Sequence, residues 1–486
     1  MSRDPLTLAG SGRLVGGTGT TRSDEIGAPS GDQPLTVVLG DDGFTYRFAG
    51  RPPGQAAYRD LSTIAVEAGT ALLALGSDAS SPRLLCRAFG EHQGQLVREV
   101  RDRRLRQRLE DRFVELPPGE AIELVEVAEV AEGRHEGWPP ERTVAQLAYH
   151  ERGLVLAPLD ERRPWYAVPR GRITDVQVQP DRGEVRVGWR GGPTLAMPGL
   201  GDAARRHADR IGGLRDAARA DAATIVQALI PDAPLAARDR ASALLVDGAP
   251  AGEAVLGDAW APLEAAALSE PAFAESYRAL VDAAGGPGTA RWLALAPDRP
   301  GSVGHRAWFF VALPGNLVAM ELVSEGAHAT YCFGVMPRAA YDGRPAAAMV
   351  DEYESAVAAI SATLVEIRFL REPIGLPDAA LALPENTRYR LALAALPSLA
   401  AARGRFVGRV VHDARWSAAI DDLVRWHAAC RDDAATWPGR SVQEATIAGL
   451  DESGPGKVQE PGQGQEPGQG QEPGQGPGPG PLPPGG

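Results

Sequence analysis

Three cysteines and eight histidines supply most of the nucleophiles and soft ligands in this chain of 486 residues, and few are placed to cooperate. His427 and Cys430 stand one helical turn apart, a spacing that can present two ligands to a metal. Trp416 and Ile420 share their stripe and no third ligand is identifiable, so the pattern predicts a buried helix face and no metal site. His328 and Cys332 lie four apart on a predicted strand, hence on one face, with His305 nearby in sequence. A Cys–His pair is the core of a thiol nucleophile, although no orienting acid or oxyanion donor accompanies this one. GSGRLVGG (Gly10–Gly17) approximates a dinucleotide fingerprint, but no buried strand precedes it and no helical pattern follows. HExxH, GxSxG and DxDxDG are absent from the sequence. No cofactor and no catalytic residue are expected.

The charged residues exclude more than they suggest. Lys457 is the only lysine, and it stands in a Gly/Pro tail. A Walker A loop, a protein kinase and a pyridoxal-phosphate enzyme each need a lysine in a folded context, so these classes are out. The Arg, Ala and Gly excess has the look of high-GC bacterial coding. A net charge of −13 argues against nucleic acid as partner. The most basic stretch is a helix carrying Arg98, Arg101, Arg104 and Arg108, among seven arginines against four acids. Pairs at i, i+3 and i+4 predict a mostly solvated face, and the same four arginines are where an anionic surface would make contact. Trp165 and Tyr166, after the charged turn ERRP, are core residues by default and a possible anchor for a partner otherwise.

These residues must be positioned by a chain long enough for several domains. Cys86, Cys332 and Cys430 are scattered without a CxxC, which predicts neither disulfides nor a zinc cluster and fits a reducing compartment. The longest apolar stretch, Ala307–Met320, is broken by Pro314, Gly315 and Asn316 and is too short to span a bilayer. With no signal-like N-terminus, a cytoplasmic protein is expected. Residues 1–33 read as a flexible arm, and 441–486, with QEPGQG three times in succession, as a disordered tail.

An internal repeat lies between these ends. VVLGDDGFTYRF (Val37–Phe48) corresponds to QLAYHERGLVLA (Gln146–Ala157), and Leu61, Ile64 and Val66 match Ile173, Val176 and Val178 at one constant offset. Each copy ends in a long amphipathic helix, with Leu96, Val100, Leu105, Leu109, Phe113 and Leu116 on one face of the first. In the second, Ile211, Leu214, Ala218, Ala222, Ile225 and Leu229 keep helical spacing. A small antiparallel sheet closed by one helix resembles the PH-like domains of bacteria, here in tandem over 34–116 and 143–232. The resemblance implies binding of protein partners rather than turnover.

Between the copies, 117–142 reads as an acidic linker with Glu120, Glu123, Glu126, Glu129 and Glu132 three residues apart. After them come a helical connector over 233–286 and an α+β domain over 287–440, a four-strand meander followed by helices. The fold class is therefore α+β throughout. The expected function is a non-catalytic adaptor or scaffold with an unidentified protein partner. The alternatives are a peripheral module contacting anionic lipid through the arginine helix, and a thiol-dependent enzyme in the last domain.

Overall fold

The computed structural model describes residues 5–15, 32–75, 81–117, 119–130, 142–160, 163, 165–269, 271–286, 288–302, 304–323, 329–336, 349–412 and 416–430. They form an α+β structure around three antiparallel sheets. The expected tail over 441–486 lies outside them.

The first sheet has seven strands in the order β4-β3-β2-β1-β7-β6-β5. They are β1 (Leu6–Val15), β2 (Gln33–Leu39), β3 (Gly43–Phe48), β4 (Gly54–Ala57), β5 (Leu61–Glu67), β6 (Thr70–Leu75) and β7 (Arg83–Arg87). Helix α1 (His92–Glu110) lays Leu96, Val97 and Val100 onto this sheet's core. The flexible arm expected over 1–33 is thus corrected: residues 6–15 form the central strand, paired with β2 on one side and β7 on the other. Two glycines disguised it. A Cβ at Gly12 would stand 2.3 Å from the Leu85 carbonyl oxygen, and one at Gly10 would stand 2.4 Å from the Phe89 ring, so these positions must be bare for the sheet to close.

The second sheet repeats the order as β11-β10-β9-β8-β14-β13-β12. Its strands are β8 (Glu123–Val130), β9 (Thr143–His150), β10 (Gly153–Pro158), β11 (Tyr166–Pro169), β12 (Ile173–Gln179), β13 (Glu184–Trp189) and β14 (Thr194–Met197), followed by α2 (Ala203–Leu229). The middle of the expected acidic linker over 117–142 is therefore β8, again the central strand. Its glutamates are spent internally: Glu120 pairs with Arg210 at 2.7 Å, Glu123 with Arg206 at 3.1 Å and Glu126 with Arg142 at 3.3 Å, and Glu129 accepts from Tyr166 at 2.7 Å. Val125 and Val127 face the core from the same strand.

In both units the helix overhangs its own sheet. Ala204, Ala208 and Ile211 of α2 pack on the second sheet, while Leu105 and Leu109 in the later turns of α1 pack on Ala148, Val155 and Ala157 of the second sheet rather than the first. Helix α1 ends with Phe113 at φ 59°, its N–H donating to Glu110 and the Val114 N–H reaching back to Leu109. This is a Schellman closure in which a phenylalanine takes the place usual for glycine. The strain is offset because Phe113 is buried in the core of the third unit, under the Arg388 guanidinium.

The third sheet runs in chain order, β15 (Ala251–Gly252), β16 (Arg291–Pro297), β17 (His305–Leu313), β18 (Leu317–Val323), β19 (Ala329–Gly334) and β20 (Phe406–Val411). Alternate residues of its strands are buried on both faces. One face packs on α6 (Val350–Glu366), α7 (Thr387–Ala395) and α8 (Pro397–Arg405), using Trp292, Trp308, Phe310, Tyr331 and Phe333. Phe309, on the other, meets Trp260 of α4 (Trp260–Ala267) and Tyr277 of α5 (Pro271–Ala283). The connector expected over 233–286 is therefore part of this unit, contributing its edge strand and two helices as well as α3 (Leu235–Leu244). Helices α7 and α8 are separate rather than one, because Pro397 pushes Leu396 to an extended φ/ψ of −117°/97°. Strand β20 was not expected; α9 (Trp416–Cys430) was.

Candidate functional site

The arginine helix and Trp165, read from the sequence as separate candidates, meet in one cleft of about 350 Å³ between the first two units. Its walls are Ser62, Thr63 and Ile64 of edge strand β5, Arg101, Arg104, Leu105 and Arg108 of α1, and Gln146, Ala157–Asp160 and Trp165 from the second unit. The division of labour along α1 explains the geometry. Leu96 and Val100 hold its first turns on the first sheet and Leu105 and Leu109 hold its last turns on the second. The arginines between these two apolar faces line the seam.

Arg101 is half-buried and donates to the Ile64 carbonyl at 3.1 Å, with no carboxylate in ion-pair distance among the described residues. Burial holds its pKa below the ordinary guanidinium value without making it neutral. Arg108 and Arg112 stack over the Trp165 ring, at 4.5 and 3.9 Å from its centroid. Burial and the like charge of Arg108 bring Arg112 down to about 10. Asp160 is the one carboxylate lining the cleft among the described residues, and Gln146 is oriented by donating to Asp102 at 3.2 Å. The arrangement is a concave, cationic seam with an apolar floor at Ile64 and Leu105, suited to hold an anionic group by charge-assisted hydrogen bonds.

The other two predicted contacts fall elsewhere. Arg98 is exposed and lies outside the cleft. Tyr166 turns away from Trp165, packs against the second core and donates to Glu129, which with burial pushes its hydroxyl up to about 12. Ser62, Thr63 and Gln146 went unnoticed because they come from distant segments that only the docking of α1 across both sheets brings together.

The thiol candidates do not form a site. Cys332 is fully buried, and burial together with neighbouring Glu321 pushes its thiol up to about 12, so it is a neutral packing group. His328 lies outside the described residues, as do the side chains of His427 and Cys430, and His305 opens β17, two strands away from Cys332 in β19. A different constellation surrounds Cys332. The Thr330 hydroxyl lies 2.6 Å from Glu321 Oε2 and 2.8 Å from His412 Nε2, and His412 Nε2 lies 3.2 Å from the same carboxylate oxygen. Glu321 and Thr330 have no exposed surface, and Trp416 packs over His412. This is a buried polar cluster beside the start of α9.

Among the described residues no helix is long and apolar enough to cross a membrane, and no cluster of three or more His, Cys, Asp or Glu could hold a metal. Compared with known proteins, the chain matches no family model and no curated sequence.

Proposed function

We propose that this protein is a non-catalytic binding protein, an adaptor built on two tandem PH-like units, whose cleft between those units docks an anionic segment of a partner protein. The repeated strand order, each sheet closed by one C-terminal helix, supports the PH-like reading of both units. The observation that carries the functional reading is Arg101: a half-buried guanidinium with only a backbone carbonyl for company, in a seam shared with Arg104, Arg108 and Trp165. Desolvating a cation without an opposite charge is costly unless a ligand supplies one. A concave seam favours a segment of chain over a bilayer, which could reach exposed Arg98 but not a guanidinium set between two sheets.

The test uses the full-length protein with a photo-crosslinking residue in place of exposed Thr63 on the cleft wall. A protein that crosslinks from position 63 at fixed stoichiometry, and is released by Arg101→Gln, is the expected result. Salt-sensitive co-sedimentation with anionic vesicles that depends on Arg98 and not on Arg101 would overturn the reading in favour of a lipid surface.

A further inference from the structure

Resting on that reading of the cleft, we infer that the partner segment docks as an amphipathic helix on the outer face of the second sheet, beside α1, with one carboxylate reaching Arg101. The cleft opens onto an apolar strip of that face. Its lining residue Gln146 stands opposite Leu124 of β8, and Val144 precedes Gln146 by two residues on the same side of β9. The Leu159 N–H, at the cleft wall, donates to the Val144 carbonyl at 2.9 Å. Leu124 is 57% exposed and Val144 42%. The repeat does not demand this bulk. With the hairpins aligned on Gly43 and Gly153, the counterparts of Leu124 and Val144 in the first sheet are Ala9 and Pro34. Thr45 and Arg47 likewise stand where Val155 and Ala157 carry α1.

Two observations select a helix over an added strand. The outer face of the second sheet already takes one helix, since Leu105 and Leu109 of α1 pack on Ala148, Val155 and Ala157, and the strip continues that interface. Ala148 and Val144 are four residues apart on β9, about 13 Å along the strand, which leaves room for a second helix at the usual spacing of about 8–10 Å. The nearest sheet edge, in contrast, is closed at the cleft. Leu75 of β6 bonds to Pro82, so by alternation Ala74 and Leu72 turn the other way and pair with Thr63 and Ala65 of β5. The Ile64 carbonyl is left on the open side, and Arg101 already donates to it at 3.1 Å. A strand added to β5 would have to displace that bond. The cleft of about 350 Å³ holds one acidic side chain and its neighbour against Arg101, while the body of the helix rests on Leu124 and Val144. A stripe at i, i+3, i+4 and i+7 over about ten residues, roughly 15 Å, supplies the apolar contacts.

The experiment selects ligands for the full-length protein from two phage-displayed peptide libraries of equal length, one randomised on a stable helix and one on the outer strand of a hairpin. Binders are expected from the helix library, with an apolar stripe flanked by Asp or Glu. Fluorescence anisotropy then reads the contacts. Leu124→Gln and Val144→Thr, at exposed positions, should together weaken these binders about tenfold in Kd. Arg101→Gln should cost about the same, and replacing the flanking acid by its amide should cost nothing further in that variant. A proline in mid-peptide should abolish binding. Hairpin binders as tight as the helical ones, or binders lost with Arg101→Gln but indifferent to Leu124→Gln and Val144→Thr, overturn the helix inference and leave the anionic cleft intact. Binders that ignore Arg101→Gln, or none from either library, overturn the inference and the cleft reading together.

Discussion

In the first unit the short 3-10 turn before the fifth strand carries Tyr58; in the second the corresponding turn carries Arg170. Both side chains are essentially inaccessible. Tyr58 finishes its business at home: its hydroxyl donates at 3.0 Å to the Gly40 carbonyl, which also accepts from Arg103 at 2.7 Å, and the next residue's N–H donates to Gln107 at 2.8 Å. Arg170 reaches outward. Its Nη2 lies 2.7 Å from Asp221 of α2 and 3.3 Å from Asp247, and Asp221 in turn accepts from the Gly301 N–H at 3.1 Å in the β16–β17 loop. One turn therefore closes its own unit, while its counterpart fastens the second unit, the overhanging half of α2 and the third unit around three buried charges. The same local fold serves self-containment in one place and junction in the other, and the choice of a neutral or an ionic side chain decides which.

The largest effect expected from this difference is that of Arg170→Met. It leaves Asp221 and Asp247 buried without their cation, and stripping one partner from a buried ion group costs about 3–5 kcal/mol. Urea unfolding of the full chain reads it directly. Because the charges join units, hydrogen exchange should rise in the Gly301 loop as well as in α2. A loss no greater than that of a tyrosine hydroxyl would show that the cluster is not the junction.

Acid should separate the units next. His150, at the end of β9, accepts the Arg152 N–H on Nδ1 at 3.3 Å, and burial with the nearby Arg152 and Arg368 charges brings it down to about 4. Burial also lowers His207, whose Nδ1 faces the Tyr149 hydroxyl at 2.9 Å. A histidine whose folded pKa lies below its ordinary value of about 6.5 is protonated first in the unfolded chain, so its stabilising share is complete above that value and is lost as pH falls. For His150 the window runs from about 6.5 down to about 4. In the first unit the shifts run the other way: burial raises Glu110 and Asp111, so acid is taken up more readily by the folded form and favours it. Hydrogen exchange across this range should show β9, β10 and the start of α2 losing protection while β2 and β3 hold theirs. Parallel loss in both units would break the comparison.

The same pairing of units shows what could be read from the sequence. The hairpins around Gly43 and Gly153, the long helices and the meander carry period-two and period-3.6 patterns that survive in the structure, because each has one buried face. Both central strands escaped. In β1 Leu8 reaches the core, but the next two positions on its face are Gly10 and Gly12, which read as a loop, and Leu35 supplies the volume from the neighbouring strand. In β8 the volume is reversed, with Val125 opposite Ala145, and glutamates between the valines read as a linker. The cleft was half legible: Arg101, Arg104, Arg108 and Trp165 were singled out by type. That they belong together depends on α1 spanning two sheets, a long-range fact with no local signature. Gly12→Ala tests the account of β1. Its Cβ would meet the Leu85 carbonyl and the Leu35 side chain, and overpacking of this kind costs about 1–3 kcal/mol. The second sheet should fail in the opposite sense, through the cavity left by Val127→Ala.

The smallest effect, and the finest test, is Tyr58→Phe. The ring stays buried against Phe44, and the hydroxyl's hydrogen bond to the Gly40 carbonyl and its contact with the Arg103 guanidinium are lost. The Gly40 carbonyl keeps Arg103 as a donor, so no buried acceptor is orphaned and the loss should stay near 1 kcal/mol. A self-contained turn also predicts how this change combines with others. Tyr58 and Arg170 share no partner, so Tyr58→Phe and Arg170→Met should add to within about 0.5 kcal/mol in the double variant. A larger coupling would have to travel along α1, which touches both sheets, and would mean that the first unit is held by its neighbour after all. Unfolding midpoints of the two single variants and the double variant distinguish a unit that closes on itself from one that leans on the junction.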